Sequence, residues 1–173
     1  ITHVHLMPIF DFGSVDERFP GSNNRNWGYD PKNFNVPEGS YCSNPYNPVT
    51  RILELRQMIM KFHERGIRVV MDMVYNHMMS TVNMDNIVPG YYFRSDYLGR
   101  YTNGSGCGNE LASERPMVRK FIIDSCLHWI KDYKIDGIRF DLMELLDIDT
   151  TKEIVKKTTK LDKNFLIYGE PWK

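Results

Sequence analysis

Apolar residues recur along this chain with a period that switches between two and about 3.6, and the switches mark out its elements. Residues 2–8 alternate: Val4 and Leu6 lie on one side, His3 and His5 on the other, and Pro8 closes the stretch as a strand. Residues 11–48 show little periodicity and are rich in Gly, Asn, Pro and Ser, which predicts a long functional loop. From 48 to 65 the period becomes helical, with Ile52, Leu55, Met58, Ile59 and Phe62 on one face and Gly66 as the stop. Residues 68–75 then form a nearly continuous apolar run, the mark of a parallel strand covered on both faces.

A second polar and aromatic loop spans 76–112. A second helix is predicted from Ser113, as its cap, with Pro116 in the first turn. Its apolar line is Val118, Ile122, Cys126 and Trp129. A strand at 137–142, a helix at 150–160 and a strand at 165–168 complete the order. Strands alternating with helices predict a parallel sheet, as in a (β/α)8 barrel or a doubly wound sheet. The absence of a Gly-rich phosphate loop after any strand weighs against the nucleotide-binding version.

Composition narrows the classes. The 173 residues hold 22 Lys and Arg against 22 Asp and Glu, so the chain lacks the basic excess of a nucleic-acid binder. Its apolar runs fall far short of the ~20 residues that span a bilayer. Cys42, Cys107 and Cys126 are an odd, widely spaced set that matches neither a zinc site nor a disulfide framework, although a Cys42–Cys107 pairing stays open. The chain opens inside a strand and shows no leader, which leaves the compartment open between cytoplasmic and secreted.

Candidate chemistry gathers where strands end. Asp72, Asn76 and His77 sit at the end of one strand, Arg139 and Asp141 at the next, and Glu170 after the last. Barrel enzymes collect their catalytic groups at this end of the sheet. Asp141 and Glu170 form the pair that glycosidic cleavage needs, a carboxylate and a proton donor. Arg139 lies two residues before Asp141, so both side chains leave one face of the strand, and the guanidinium is expected to keep Asp141 ionised. Structural readings compete with these: an ordinary ion pair for Arg139 and Asp141, a backbone-bonded aspartate for Asp72, a core histidine for His77.

Three stretches carry a resemblance. Met71–His77 (MDMVYNH), Asp136–Asp141 (DGIRFD) and Tyr168–Trp172 (YGEPW) resemble, in order, the first three signatures of the α-amylase family of glycoside hydrolases. Asn26–Pro31 (NWGYDP), Thr102–Asn109 (TNGSGCGN) and Ala112–Arg115 (ASER) are similar to the type I pullulanase group within it. Glu110, Leu111 and Glu144 depart from that group's pattern.

The resemblance implies a partial (β/α)8 barrel of about four strands out of eight. Residues 1–173 would then be one part of a single catalytic domain, cut at both ends. It implies a retaining hydrolase of α-1,6 branch bonds in pullulan, amylopectin or glycogen-type glucans. Asp141 would be the nucleophile and Glu170 the general acid/base, with Tyr29, Asp72, Asn76, His77, Arg139 and Trp172 around the sugar. It calls for no cofactor, leaving calcium open, and an α-glucan as the partner, with neither nucleic acid nor membrane. No match to the fourth signature occurs, so a third carboxylate is expected from beyond these residues, and the isolated piece is expected to be inactive and poorly soluble. An α-1,4-cutting amylase, an isoamylase-like debranching enzyme and a non-catalytic sugar-binding barrel are the alternatives.

Overall fold

The computed structural model describes residues 1–19 and 26–172. Four parallel strands form its sheet: β1 (His3–Leu6), β4 (Arg68–Met73), β5 (Gly137–Phe140) and β6 (Leu166–Gly169), in the order β1-β4-β5-β6. The helices α1 (Pro48–His63), α3 (Pro116–His128) and α4 (Ile148–Leu161) link them as the periodicity predicted. Two features of the sequence fix the ends of α1. Asn47 caps it by accepting from the Val49 N–H at 3.1 Å ahead of Pro48. Gly66 stops it at φ +69°, where Ile67 N–H reaches back to Phe62 O and Gly66 N–H to His63 O, a Schellman turn.

Two predicted features differ. The stretch read as loop holds an antiparallel pair, β2 (Phe10–Phe12) and β3 (Pro31–Pro37). Bulges in its register leave Pro31, Phe34 and Pro37 buried at every third position, so no alternation is visible. Ser113 does not cap α3. The cap position is Arg115, without a side-chain hydrogen bond, while Ser113 Oγ accepts from Asp147 N–H at 2.9 Å and from Arg94 Nη2 at 3.2 Å. Asp147 in turn caps α4 through the N–H groups of Asp149 and Thr150. The second loop contains the short helix α2 (Val82–Asp85) and two antiparallel bridges, Phe93 with Leu111 and Ser95 with Tyr101.

The sheet has two unlike faces, because successive side chains in a strand point to opposite sides. Val4, Leu6, Val69, Met71, Met73, Ile138, Phe140 and Ile167 share the face that joins the main core. They meet Ile59 of α1, Val118, Ile122 and Cys126 of α3 and Ile154 of α4. Each side chain of this size stabilises the fold by roughly 1.5–3 kcal/mol when fully buried. Past α3 the chain makes a π-helical turn, Trp129–Tyr133, and the fully buried Trp129 donates its indole N–H to Phe34 O at 2.9 Å. At the N-terminal end of the sheet, Asp136 accepts from Val69 N–H at 2.8 Å and pairs with His63 at 2.7 Å, a role in stability. Cys42, Cys107 and Cys126 are all free thiols, which closes the Cys42–Cys107 pairing. Among the described residues, no helix is long and apolar enough to cross a membrane.

Candidate active site

The opposite face carries the ionisable groups. Register sets Asp72 beside Arg139 and Arg139 beside Tyr168 in one row across β4, β5 and β6. Asp141 follows one step further along, its N–H bonded to Met73 O at 3.0 Å, and Glu170 is anchored by its N–H to Phe140 O at 3.0 Å. The sheet therefore brings together residues far apart in sequence, at the ends of strands where barrel chemistry collects.

Arg139 is the hub. Its Nη1 donates to Asp72 Oδ1 at 2.7 Å, Asp72 Oδ2 at 3.0 Å and Asp141 Oδ1 at 2.9 Å, and its Nη2 pairs with Glu170 Oε1. Asp141 and Glu170 thus share one guanidinium. Three carboxyl groups face one cation here.

The second oxygen of Asp141 is also held. Asn76 Nδ2 donates to Asp141 Oδ2 at 2.9 Å and to the Asp141 carbonyl at 3.0 Å. Just after Asp141 the backbone turns through Leu142 at φ 42°, a left-handed conformation that a branched side chain adopts at a cost of about 1–3 kcal/mol. The turn is held by Glu170: its Oε2 accepts from Leu142 N–H at 3.2 Å and its carbonyl from Met143 N–H at 3.1 Å.

Arg139 favours the ionised form of Asp141 as expected, but it is not the largest influence. Burial is the largest influence and pushes the Asp141 carboxyl above its ordinary value of 3.8. The hydrogen bonds from Asn76 and Arg139 pull it down by less, and the Glu170 charge adds to the rise.

Asp72 is 2% exposed and accepts at both oxygens. Besides Arg139 it takes the Tyr29 hydroxyl at 2.9 Å and faces His5 Nε2 at 3.3 Å. Burial and the Asp72 charge raise the Tyr29 hydroxyl well above its ordinary value, so it stays a donor. His77 lies against Asn76 and Tyr29, and Trp172 stands 57% exposed just past Glu170. All eight residues singled out in the sequence lie at this end of the sheet, and seven of them join one bonded network.

Two further members escaped the sequence reading. His5 on β1 contacts Asp72, and its Nδ1 lies 3.0 Å from the Tyr168 hydroxyl. The one available signal was that His3 and His5 alternate against Val4 and Leu6, on the face that Asp72 and Arg139 share.

A resident metal finds little support in these residues. Asp11, Glu17 and Glu38 bring carboxylate oxygens within 4.8 Å of one another. Those groups are already engaged: Glu17 by Arg51 and Gly39 N–H, Glu38 by Phe12 and Ser40 N–H, Asp11 by Asn33. Calcium there would have to displace protein donors.

A parallel sheet with ionisable groups gathered at the C-terminal ends of its strands is the arrangement of a barrel enzyme. The family described as "Alpha amylase, catalytic domain" matches residues 1–88, just over half of the 173, and the chain belongs to that family. Over nearly its whole length the chain is similar to pullulanases. It is 49% identical to the pullulanase of Bacillus subtilis (strain 168) across 99% of this chain and 24% of that protein. It superposes with a TM-score of 0.98, at 50% identity, on the crystal structure of the Paenibacillus barengoltzii pullulanase in complex with maltohexaose and α-cyclodextrin, covering 100% of this chain and 27% of that one. Isoamylase 3 of Oryza sativa subsp. japonica is 37% identical across 84% of this chain and 20% of its own length. The chain thus spans about a quarter of the length of the relatives it matches, and the strands it holds are an arc of the (β/α)8 barrel.

Proposed function

We propose that the protein carrying this chain is a retaining hydrolase of α-1,6 branch bonds in α-glucans. The observation that carries the reading is the pairing of Asp141 and Glu170 on one buried guanidinium at the mouth of the sheet. Asp141 Oδ attacks the anomeric carbon while Glu170 delivers a proton to the departing glycosidic oxygen. This forms a glycosyl ester and frees the alcohol of the leaving chain. Glu170, now a carboxylate, takes a proton from water, whose oxygen attacks the same carbon and releases Asp141 with the configuration retained.

Arg139 and Asn76 orient the attacking carboxylate. Asp72 holds the Tyr29 hydroxyl, so the Tyr29 ring is placed to stack on a sugar. The pullulanase relatives, one of them solved with maltohexaose and α-cyclodextrin, support an α-glucan as substrate. Similarity to a rice isoamylase supports a second reading, debranching with an isoamylase-like preference.

Digestion of pullulan by the full-length protein separates these outcomes. Maltotriose as the sole early product supports α-1,6 cleavage. Panose or isopanose means that α-1,4 bonds are cut. Debranching of amylopectin with pullulan left intact favours the isoamylase-like reading, and no product from any α-glucan overturns the proposal.

A further inference from the structure

His77 has a hydrogen-bonding pattern that a neutral imidazole cannot satisfy. Asn76 decides the matter. One end of its amide lies 2.9 Å from Asp141 Oδ2 and 3.0 Å from the Asp141 carbonyl. A backbone carbonyl only accepts, so the NH2 end of Asn76 must face Asp141, and the flipped amide would set oxygen against oxygen. The Asn76 oxygen is therefore the atom that meets His77 Nδ1, and Nδ1 must carry a hydrogen. The other ring nitrogen, Nε2, lies 2.9 Å from the Tyr29 carbonyl, again an atom that only accepts. Both nitrogens must donate, whereas a neutral imidazole has a single N–H.

We propose that His77 works as an imidazolium positioning residue: one N–H locks Asn76 onto Asp141, the other locks the Tyr29 backbone, and loss of the proton opens one of the two. The naming of Asp141 as nucleophile and Tyr29 as sugar platform rests on the function proposed above. The latch itself rests on hydrogen-bond direction alone.

Charge around the ring both supports and opposes the proton. Asp30, held by Asn26 and Ser14, faces the ring and favours the cation, as does the bond to Tyr29 O. Behind Asn76 stand Asp141 and then Arg139, Asp72 and Glu170. Burial opposes: His77 is 3% exposed, and desolvation is the largest influence, lowering its ionisation below the ordinary histidine value of 6.5. The latch is thus closed in acid and opens as the pH rises, earlier than an ordinary histidine would.

The arrangement ties two parts of the site to one proton. Tyr29 is fixed at both ends, its hydroxyl on Asp72 and its carbonyl on His77. The Asn76 amide is likewise held at both ends, its NH2 on Asp141 and its oxygen on His77. With both ring nitrogens committed, a sugar hydroxyl takes a hydrogen bond from His77 only by replacing one of these acceptors.

The test is the side-chain 15N spectrum of 15N-histidine-labelled full-length protein without ligand, titrated from about pH 5 to 8. His77 resonances are assigned by their loss in His77→Gln. The expected result is two protonated ring nitrogens at the acid end, with one N–H lost on the way to neutrality. Asn76→Ala removes one acceptor and is expected to weaken proton binding at His77 by about threefold or more. A single neutral tautomer throughout, or a titration unchanged by Asn76→Ala, overturns the proposal. Because nothing is turned over, either result is independent of the pullulan digestion.

Discussion

The two faces of the four-strand sheet are built from the same backbone and do opposite work. On the helix side, Val69, Met71, Met73, Ile138 and Phe140 are all at most 1% exposed and join one apolar cluster with residues of α1, α3 and α4. On the other side, the same strands present Asp72, Arg139, Tyr168 and, one step further, Asp141 and Glu170, joined by directional bonds to shared partners. The helix side owes its stability to area and volume, and one methylene changes it by a graded amount. The charged side is all-or-none, since removing one charge strands its partners in a dry site. The two faces should therefore fail differently.

The largest effect is expected from the charged face. Asp141→Asn in the full-length protein should lower kcat by on the order of 10^3-fold or more, measured by initial rates. Arg139→Met should cost activity and also about 3–5 kcal/mol of stability, because Asp72, Asp141 and Glu170 lose their common counter-charge. Denaturant titration checks this, and an unchanged midpoint would break the contrast between the faces. Met73→Ala, on the helix side, should cost about 2–4 kcal/mol and leave kcat/KM of the folded fraction within about twofold.

Gly137 sharpens the comparison, since it lies on the charged face without taking part in its network. An added Cβ would stand 2.8 Å from Leu166 O, a backbone atom that cannot step aside. Gly137→Ala should therefore destabilise by about 1–3 kcal/mol, read by thermal melting.

The smallest effect is a shift in pH. In the proposed mechanism Asp141 attacks only as the carboxylate, and burial lifts its carboxyl, so the acid limb of kcat/KM should lie above the ordinary 3.8, with activity lost as the pH falls through it. Asn76→Ala removes a bond that favours the carboxylate, so the limb should move further up; a downward move would contradict the assignment.

Much of this division could be read from the residues. The run at β4 and the strand at β5 announced parallel strands, and Asp72, Arg139 and Asp141 announced chemistry at their ends, because strand parity and a two-residue spacing are local facts. The β2–β3 pair escaped because bulges turned its burial period from two to three. Ser113 was misread as a cap because its partners, Arg94 and Asp147, come from elsewhere in the chain. His5 and Tyr168 stand 163 residues apart and meet only through the sheet. Net proton affinity was equally out of reach: Arg139 beside Asp141 is visible in sequence, whereas the burial that outweighs it is not.

A nucleophilic Asp141 should be trapped as a glycosyl ester. Incubation of the full-length protein with an activated, slowly turning-over α-glucosyl fluoride, followed by peptide mass spectrometry, locates the trapped sugar. One glycosyl group in ester linkage to Asp141 and none on Glu170 is the expected result. A label on Glu170, or release of product with inverted configuration and no label at all, would contradict it.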